Sequence, residues 1–257
     1  MLTTRSLNAP AVAATVLGGA GQGMLTFIGL VGAAHGVAST AAFANSCGTI
    51  ALLLTAVGLS LTPCPACVGD VCTVDQAMLL GWPPGRATRF MRFAVLSALV
   101  AGILYVQEWS GKGGSPHLIL PLGLLIFVLG AALVLLTGLI FAGSRRALDI
   151  AHFTSAGLMT GLGLLMAVST IHGRFPWFQV VLAAPLLAIL AGLTWRRWRQ
   201  APAALAKQRN LVLILLLLAG FLLAGWFLTP WTSVLLAPVL LLAVWLERAL
   251  FLSRPTV

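Results

Sequence analysis

The stretch LVLILLLLAGFLLAGW, residues 211–226, holds sixteen positions without a charge or a strand-like alternation of polar and apolar residues. Inside a bilayer every backbone N–H and C=O needs an internal partner, and a long unalternating apolar run finds those partners only as a helix. The rest of the chain repeats the pattern. Of 257 residues, 60% are hydrophobic and 8% charged, with a mean hydropathy of +1.05. No water-facing surface can be built from that composition, so the chain reads as an all-α membrane protein. The net charge of +10 does not indicate nucleic acid, because the basic residues fall in short clusters between apolar runs.

Cutting at polar, Pro and Gly punctuation gives eight apolar runs, at residues 10–34, 40–62, 90–108, 117–142, 153–171, 178–195, 211–228 and 231–252. The expectation is a single domain, a bundle of eight transmembrane helices, in which the closing pair competes with one broken hairpin across Thr229-Pro230. The first run is long enough to span and is followed directly by others, so it is expected to stay as a helix and not to be cleaved as a signal. With eight spans, one side collects Arg5, Arg86, Arg89, Arg92, Arg145, Arg146, Arg196, Arg197, Arg199, Lys207, Arg209, Arg248 and Arg254. Only Lys112 and Arg174 lie opposite. By the positive-inside rule, both termini and the loop after the second run are expected in the cytoplasm, and the protein in the inner (plasma) membrane.

Glycine-rich segments such as GGAGQGMLTFIGLVG (residues 18–32) let helix backbones approach closely, so the first and fifth spans are expected inside the bundle. The Leu runs of spans seven and eight suit acyl chains. Trp109, Trp177, Trp226 and Trp231 at one side, and Trp82, Trp195 and Trp198 at the other, are expected to form interfacial belts.

LTPCPACVGDVC, residues 61–72, packs Cys64, Cys67 and Cys72 into nine positions, while Cys47 lies about 25 Å away along span two. Three readings stay open. A C-x-x-C pair suits disulfide exchange, three thiols with Asp70 suit a metal, and a Pro-braced loop of reduced cysteines suits packing against a neighbour. The lone cluster lacks the second C-x-x-C of a zinc site, so no metal is expected.

Polar groups inside spans are functional candidates because they are costly there. Glu247 and Arg248 form an ion pair facing the bundle, part of a proton path, or a pair snorkelling to the interface. Gln22, among glycines in span one, is expected to bond to another helix or a ligand. His35, His117, His152 and His172 fall near span ends. His117 and His172 are weighed as haem ligands, but interfacial placement is preferred and no haem is expected. His152 is the candidate for proton handling.

Three segments carry a resemblance: GGAGQGMLTFIGLVG, GLIFAGSRRALDIAHFTSAGLMTGLGLL (residues 138–165) and LLAVWLERALFL (residues 241–252). In span order along nearly the whole chain, they resemble the DmsC-type membrane anchor subunit of dimethyl sulfoxide reductase-like molybdoenzymes. The resemblance implies a non-catalytic anchor that docks an iron–sulfur electron-transfer subunit and a molybdopterin catalytic subunit. It exchanges electrons with membrane quinone or menaquinone, in anaerobic respiration, and holds no molybdopterin or iron–sulfur cluster itself. Quinone binding and proton handling are then expected at Gln22, Arg89, Arg92, His152, Glu247 and Arg248, and partner docking at Cys64, Cys67, Cys72, Arg86, Arg145 and Arg146. The chain departs from the family in AMLLGWPPGRATRFMRF (residues 77–93) and the loop before it, where the family's quinol-linked His and Glu are missing. From a different class, a membrane thiol–disulfide oxidoreductase using Cys64 and Cys67 is the alternative. A transporter would need broken paired helices and midplane charges.

Overall fold

A computed structural model describes residues 9–36, 38, 40–61, 86–111, 115–141, 146–174, 177–199 and 205–252. Among these residues the chain is helical without strands: α1 (Ala9–His35), α2 (Ala41–Leu61), α3 (Arg86–Trp109), α4 (Ile119–Phe141), α5 (Arg146–Ile171), α6 (Trp177–Trp198), α7 (Ala206–Gly225) and α8 (Thr232–Leu252). A 3-10 turn, Pro116–Leu118, leads into α4. All eight α-helices are long and apolar enough to cross a membrane, so the protein is a multi-pass membrane protein. The last two apolar runs are separate helices, packed side by side and joined by a tight turn through residues 226–231.

Two boundaries differ from the sequence reading in a way that matters. The fifth helix begins seven residues before the expected 153, taking in Asp149 and His152, and the sixth runs three residues past the expected 195, taking in Arg197. Hydropathy stops a span at charge, whereas these charges continue the helix because they are neutralised by one another inside the bundle.

The centre belongs to α1 and α5, in whose spanning windows 78% of residues are buried, against 22–44% in the other six helices. Glycine makes this possible. A Cβ added at Gly23 would collide with the Gly157 carbonyl oxygen of α5, and one at Gly29 would stand 2.7 Å from the Gly123 carbonyl oxygen of α4. Around this pair, α2 and α4 flank α1, with α3 outside them, while α6 and α8 flank α5, with α7 outside. Pro185 and Pro238 sit within α6 and α8, and both helices run through them unbroken.

As expected, α7 is the most lipid-facing helix, but α8 is not its equal: it packs on α5 and α1 as well as on α7. The tryptophans also divide. Trp177, Trp195 and Trp231 are exposed as a belt requires, whereas Trp109 and Trp198 are buried, Trp109 against Phe43 and Tyr105. Their place near a span end does not decide whether they face lipid or a neighbouring helix. Trp82 lies outside the described residues.

Candidate functional site

The start of α5 and the ends of α6 and α8 meet on a cluster of five ionisable side chains. On α5, Asp149 and His152 are three residues apart and so share a face. The buried face of α6 runs Ala183, Leu187, Leu190, Thr194, Arg197, at alternating spacings of four and three. That phase carries Arg197 inward while Arg196 and Arg199 remain exposed. Glu247 and Arg248 come from α8.

Arg197 ties the three helices together. Its Nε lies 3.0 Å from Asp149 Oδ1 and its Nη1 donates to Glu247 Oε1 at 2.6 Å. The same Nη1 lies 3.4 Å from His152 Nδ1, and His152 Nε2 lies 2.9 Å from Thr194 Oγ1. Glu247 Oε2 is 3.8 Å from His152 Nδ1 and 3.4 Å from Arg248 Nη1. Arg248 spreads its guanidinium over the Phe153 ring, 3.2 Å from the centroid, and its Nε has no hydrogen-bond acceptor among the described residues. Exposure of His152, Arg197, Glu247 and Arg248 is 1–3%. Glu247 and Arg248 therefore do not snorkel.

Two guanidinium groups face two carboxylates, so the cluster is neutral when the imidazole is neutral. That balance lets it sit inside the bundle, because an isolated charge there would be far costlier than a paired one. His152 lies six residues into α5, about 9 Å from its start at 1.5 Å per residue. Glu247 lies five residues from the end of α8. The cluster thus sits one to two turns below the basic face. Two groups that can exchange a proton, His152 and Glu247, stand side by side in it.

The same three helices meet again in polar contact at their other ends. Thr170 of α5 and Ser233 of α8 are joined at 2.6 Å, and Gln179 of α6 donates to Ser169 of α5 at 3.1 Å. Between the two clusters lie buried Met159, Leu162, Leu165, Leu236 and Leu240.

Of the expected site residues, the structure brings together His152, Glu247 and Arg248. His152 proves to be an interior group and not an end-of-helix one. Gln22 is buried and joined to Thr137 of α4 across 3.0 Å, as interhelix glue outside the charged cluster. Arg89 and Arg92 stand exposed on α3, which packs chiefly on α2 and α4. They do not belong to the cluster, because the helix order places α3 on the far side of α1. Arg86 and Arg146 open α3 and α5. Cys64, Cys67, Cys72 and Arg145 lie outside the described residues. Of the histidines weighed as haem ligands, His172 lies 3.1 Å from Ser46 Oγ and His117 is exposed in the 3-10 turn. Among the described residues no group of three His, Cys, Asp or Glu is arranged to hold a metal ion.

Asp149, Thr194 and Arg197 are absent from the residues expected at the site. The signal for Arg197 is its helical phase, which continues the apolar stripe of α6. The signal for Asp149 is an acid on the most cationic side of the protein. No protein-family model matches the chain, and neither a curated protein nor a solved structure is significantly similar to it.

Proposed function

We propose that this protein is the membrane anchor subunit of a molybdopterin oxidoreductase. It holds an iron–sulfur subunit at the basic, cytoplasmic face of the inner membrane and exchanges electrons with membrane quinone. The observation that carries the reading is the buried cluster at that face, in which His152 and Glu247 lie 3.8 Å apart under the control of Arg197 and Arg248. The donor set fits a quinone: guanidinium N–H groups suit its carbonyl oxygens, and an imidazole and a carboxylate suit the protons of its reduced form. A quinol supplies two electrons and two protons on oxidation. The chain's share is to receive the protons one to two turns from the basic face, while the electrons pass to the partner's cluster. Docking falls to the loops of that face, with Cys64, Cys67, Cys72, Arg86, Arg145 and Arg146.

The test is purification of the tagged protein from its native membranes in mild detergent, with mass spectrometry of its companions and assays for iron and molybdenum. Iron–sulfur and molybdopterin subunits are expected to accompany it. In that complex Glu247→Gln and His152→Ala are each expected to lower quinol-dependent turnover about a hundredfold, the scale of a positioned acid or base. A chain that purifies alone, without either metal and with Cys64 and Cys67 oxidised, would sink the anchor reading in favour of thiol chemistry.

A further inference from the structure

His152 is held at both ring nitrogens, and the geometry decides which of them carries hydrogen. Thr194 Oγ1 lies 2.7 Å from the Leu190 carbonyl oxygen, one turn back on α6. A hydroxyl has one proton, and a carbonyl can only accept, so the Thr194 proton is committed to Leu190. Toward His152, at 2.9 Å, Thr194 can then only accept. Nε2 must be the donor. On the other side of the ring Nδ1 is left with a lone pair, which Arg197 Nη1 meets at 3.4 Å, a contact too long to fix the tautomer without Thr194.

We propose that Thr194 is a positioning residue that presets His152 as its Nε2–H tautomer, which leaves Nδ1 as the one atom through which the imidazole gains and loses a proton. The inference rests on the reading of His152 as a proton-handling group. In the resting cluster the neutral ring accepts from Arg197 at Nδ1. When Nδ1 takes up a proton, the ring becomes an imidazolium, and Arg197 can no longer serve as its partner. A carboxylate oxygen, Glu247 Oε2, stands 3.8 Å away, so the new N–H turns toward it. Arg197 keeps Glu247 Oε1 and Asp149 throughout. The proton leaves from the same Nδ1, by way of Glu247, and the ring returns to its starting form. No electron passes through it.

Among the described residues, the charged groups around the ring come from all three helices of the cluster. Asp149 lies on the same helix and acts through Arg197, Arg197 comes from α6, and Glu247 and Arg248 come from α8. Among the described residues α1, α2 and α4, which also pack on α5, bring no titratable side chain to that depth: His35 and Cys47 belong to the opposite half of the bundle, and α4 has none.

The experiment is ring-nitrogen NMR on the full chain, purified with a histidine-free tag and carrying labelled histidine. The His152 signal is assigned by its loss in His152→Gln. The Nε2–H tautomer is expected in the unaltered protein and in Thr194→Ser, and a mixture of tautomers in Thr194→Val. An Nδ1–H ring in the unaltered protein overturns the proposal, and so does a Thr194→Val ring that keeps the original tautomer. Because the first of these needs no variant, a Thr194→Val chain that fails to fold does not protect the idea. In the assembled complex, Thr194→Val is expected to lower quinol turnover about tenfold and displace its pH profile, on the scale of a lost orienting bond, with Thr194→Ser restoring both. An Nε2–H ring in a complex without quinol-linked turnover would leave the tautomer assignment standing and sink the anchor reading instead.

Discussion

Arg197 is the side chain on which the charged end of the bundle depends. It binds a carboxylate from each of two other helices, and its removal leaves Asp149 and Glu247 buried with one guanidinium between them. Breaking a buried pair by deleting one partner costs about 3–5 kcal/mol, whereas an exposed charge is worth about 0.5 kcal/mol or less. Arg197→Met is therefore expected to destabilise the protein by about 3–5 kcal/mol, with Arg199→Met close to neutral, in unfolding measured in detergent. Equal effects from the two would show that Arg197 is solvated. Gln22 has a smaller part: Thr137→Val removes one interhelical contact and is expected to cost about 0.6 kcal/mol, the average for such bonds in membranes. At this scale His152, Glu247 and Arg248 were legible in the sequence. Glu247 and Arg248 interrupt an apolar run, and His152 follows SRRALD at the edge of one. Arg197 was not, because it stands among Arg196, Trp198 and Arg199, and composition treats the whole group as a membrane border.

At the scale of elements, α1 and α5 pack by glycine, and the close approach is what permits two central helices with the other six around them. Gly23→Ala is expected to force these helices apart at the cost of about 1–3 kcal/mol, as overpacking does. Gly192 on α6 has open space around its Cβ position, so Gly192→Ala is expected to stabilise by up to about 1 kcal/mol through helix propensity alone. The pair of variants compared in one unfolding assay separates packing from propensity; a Gly23→Ala protein as stable as the parent would mean that α1 and α5 do not touch. The glycine pattern announced the interior position of both helices. The inward face of α8 was hidden, since VLLAPVLLLAVW is apolar all round and hydropathy cannot tell lipid from a neighbouring helix.

At the scale of the whole molecule, the described residues form eight helices long and apolar enough to cross a membrane, with the charged cluster where α5 begins and α6 and α8 end. In a chain whose Cys64, Cys67 and Cys72 are changed to Ser, an impermeant maleimide is expected to reach Arg199→Cys and Ser115→Cys from opposite faces. Labelling of both from one face would overturn the crossing order, and Arg199→Cys labelled from outside intact cells would place the basic face outside. By itself the sequence determined the solvent, the number of spans, the two central helices and the side that gathers positive charge. These are sums over many residues, and the cost of moving polar backbone or charge into lipid is large enough to settle them without knowing any contact. The joining of Asp149, His152, Thr194, Arg197, Glu247 and Arg248 was decided only by the tertiary structure. Those residues come from three helices spread over about a hundred positions of chain, and their energies depend on distances of a few ångströms that no local pattern encodes.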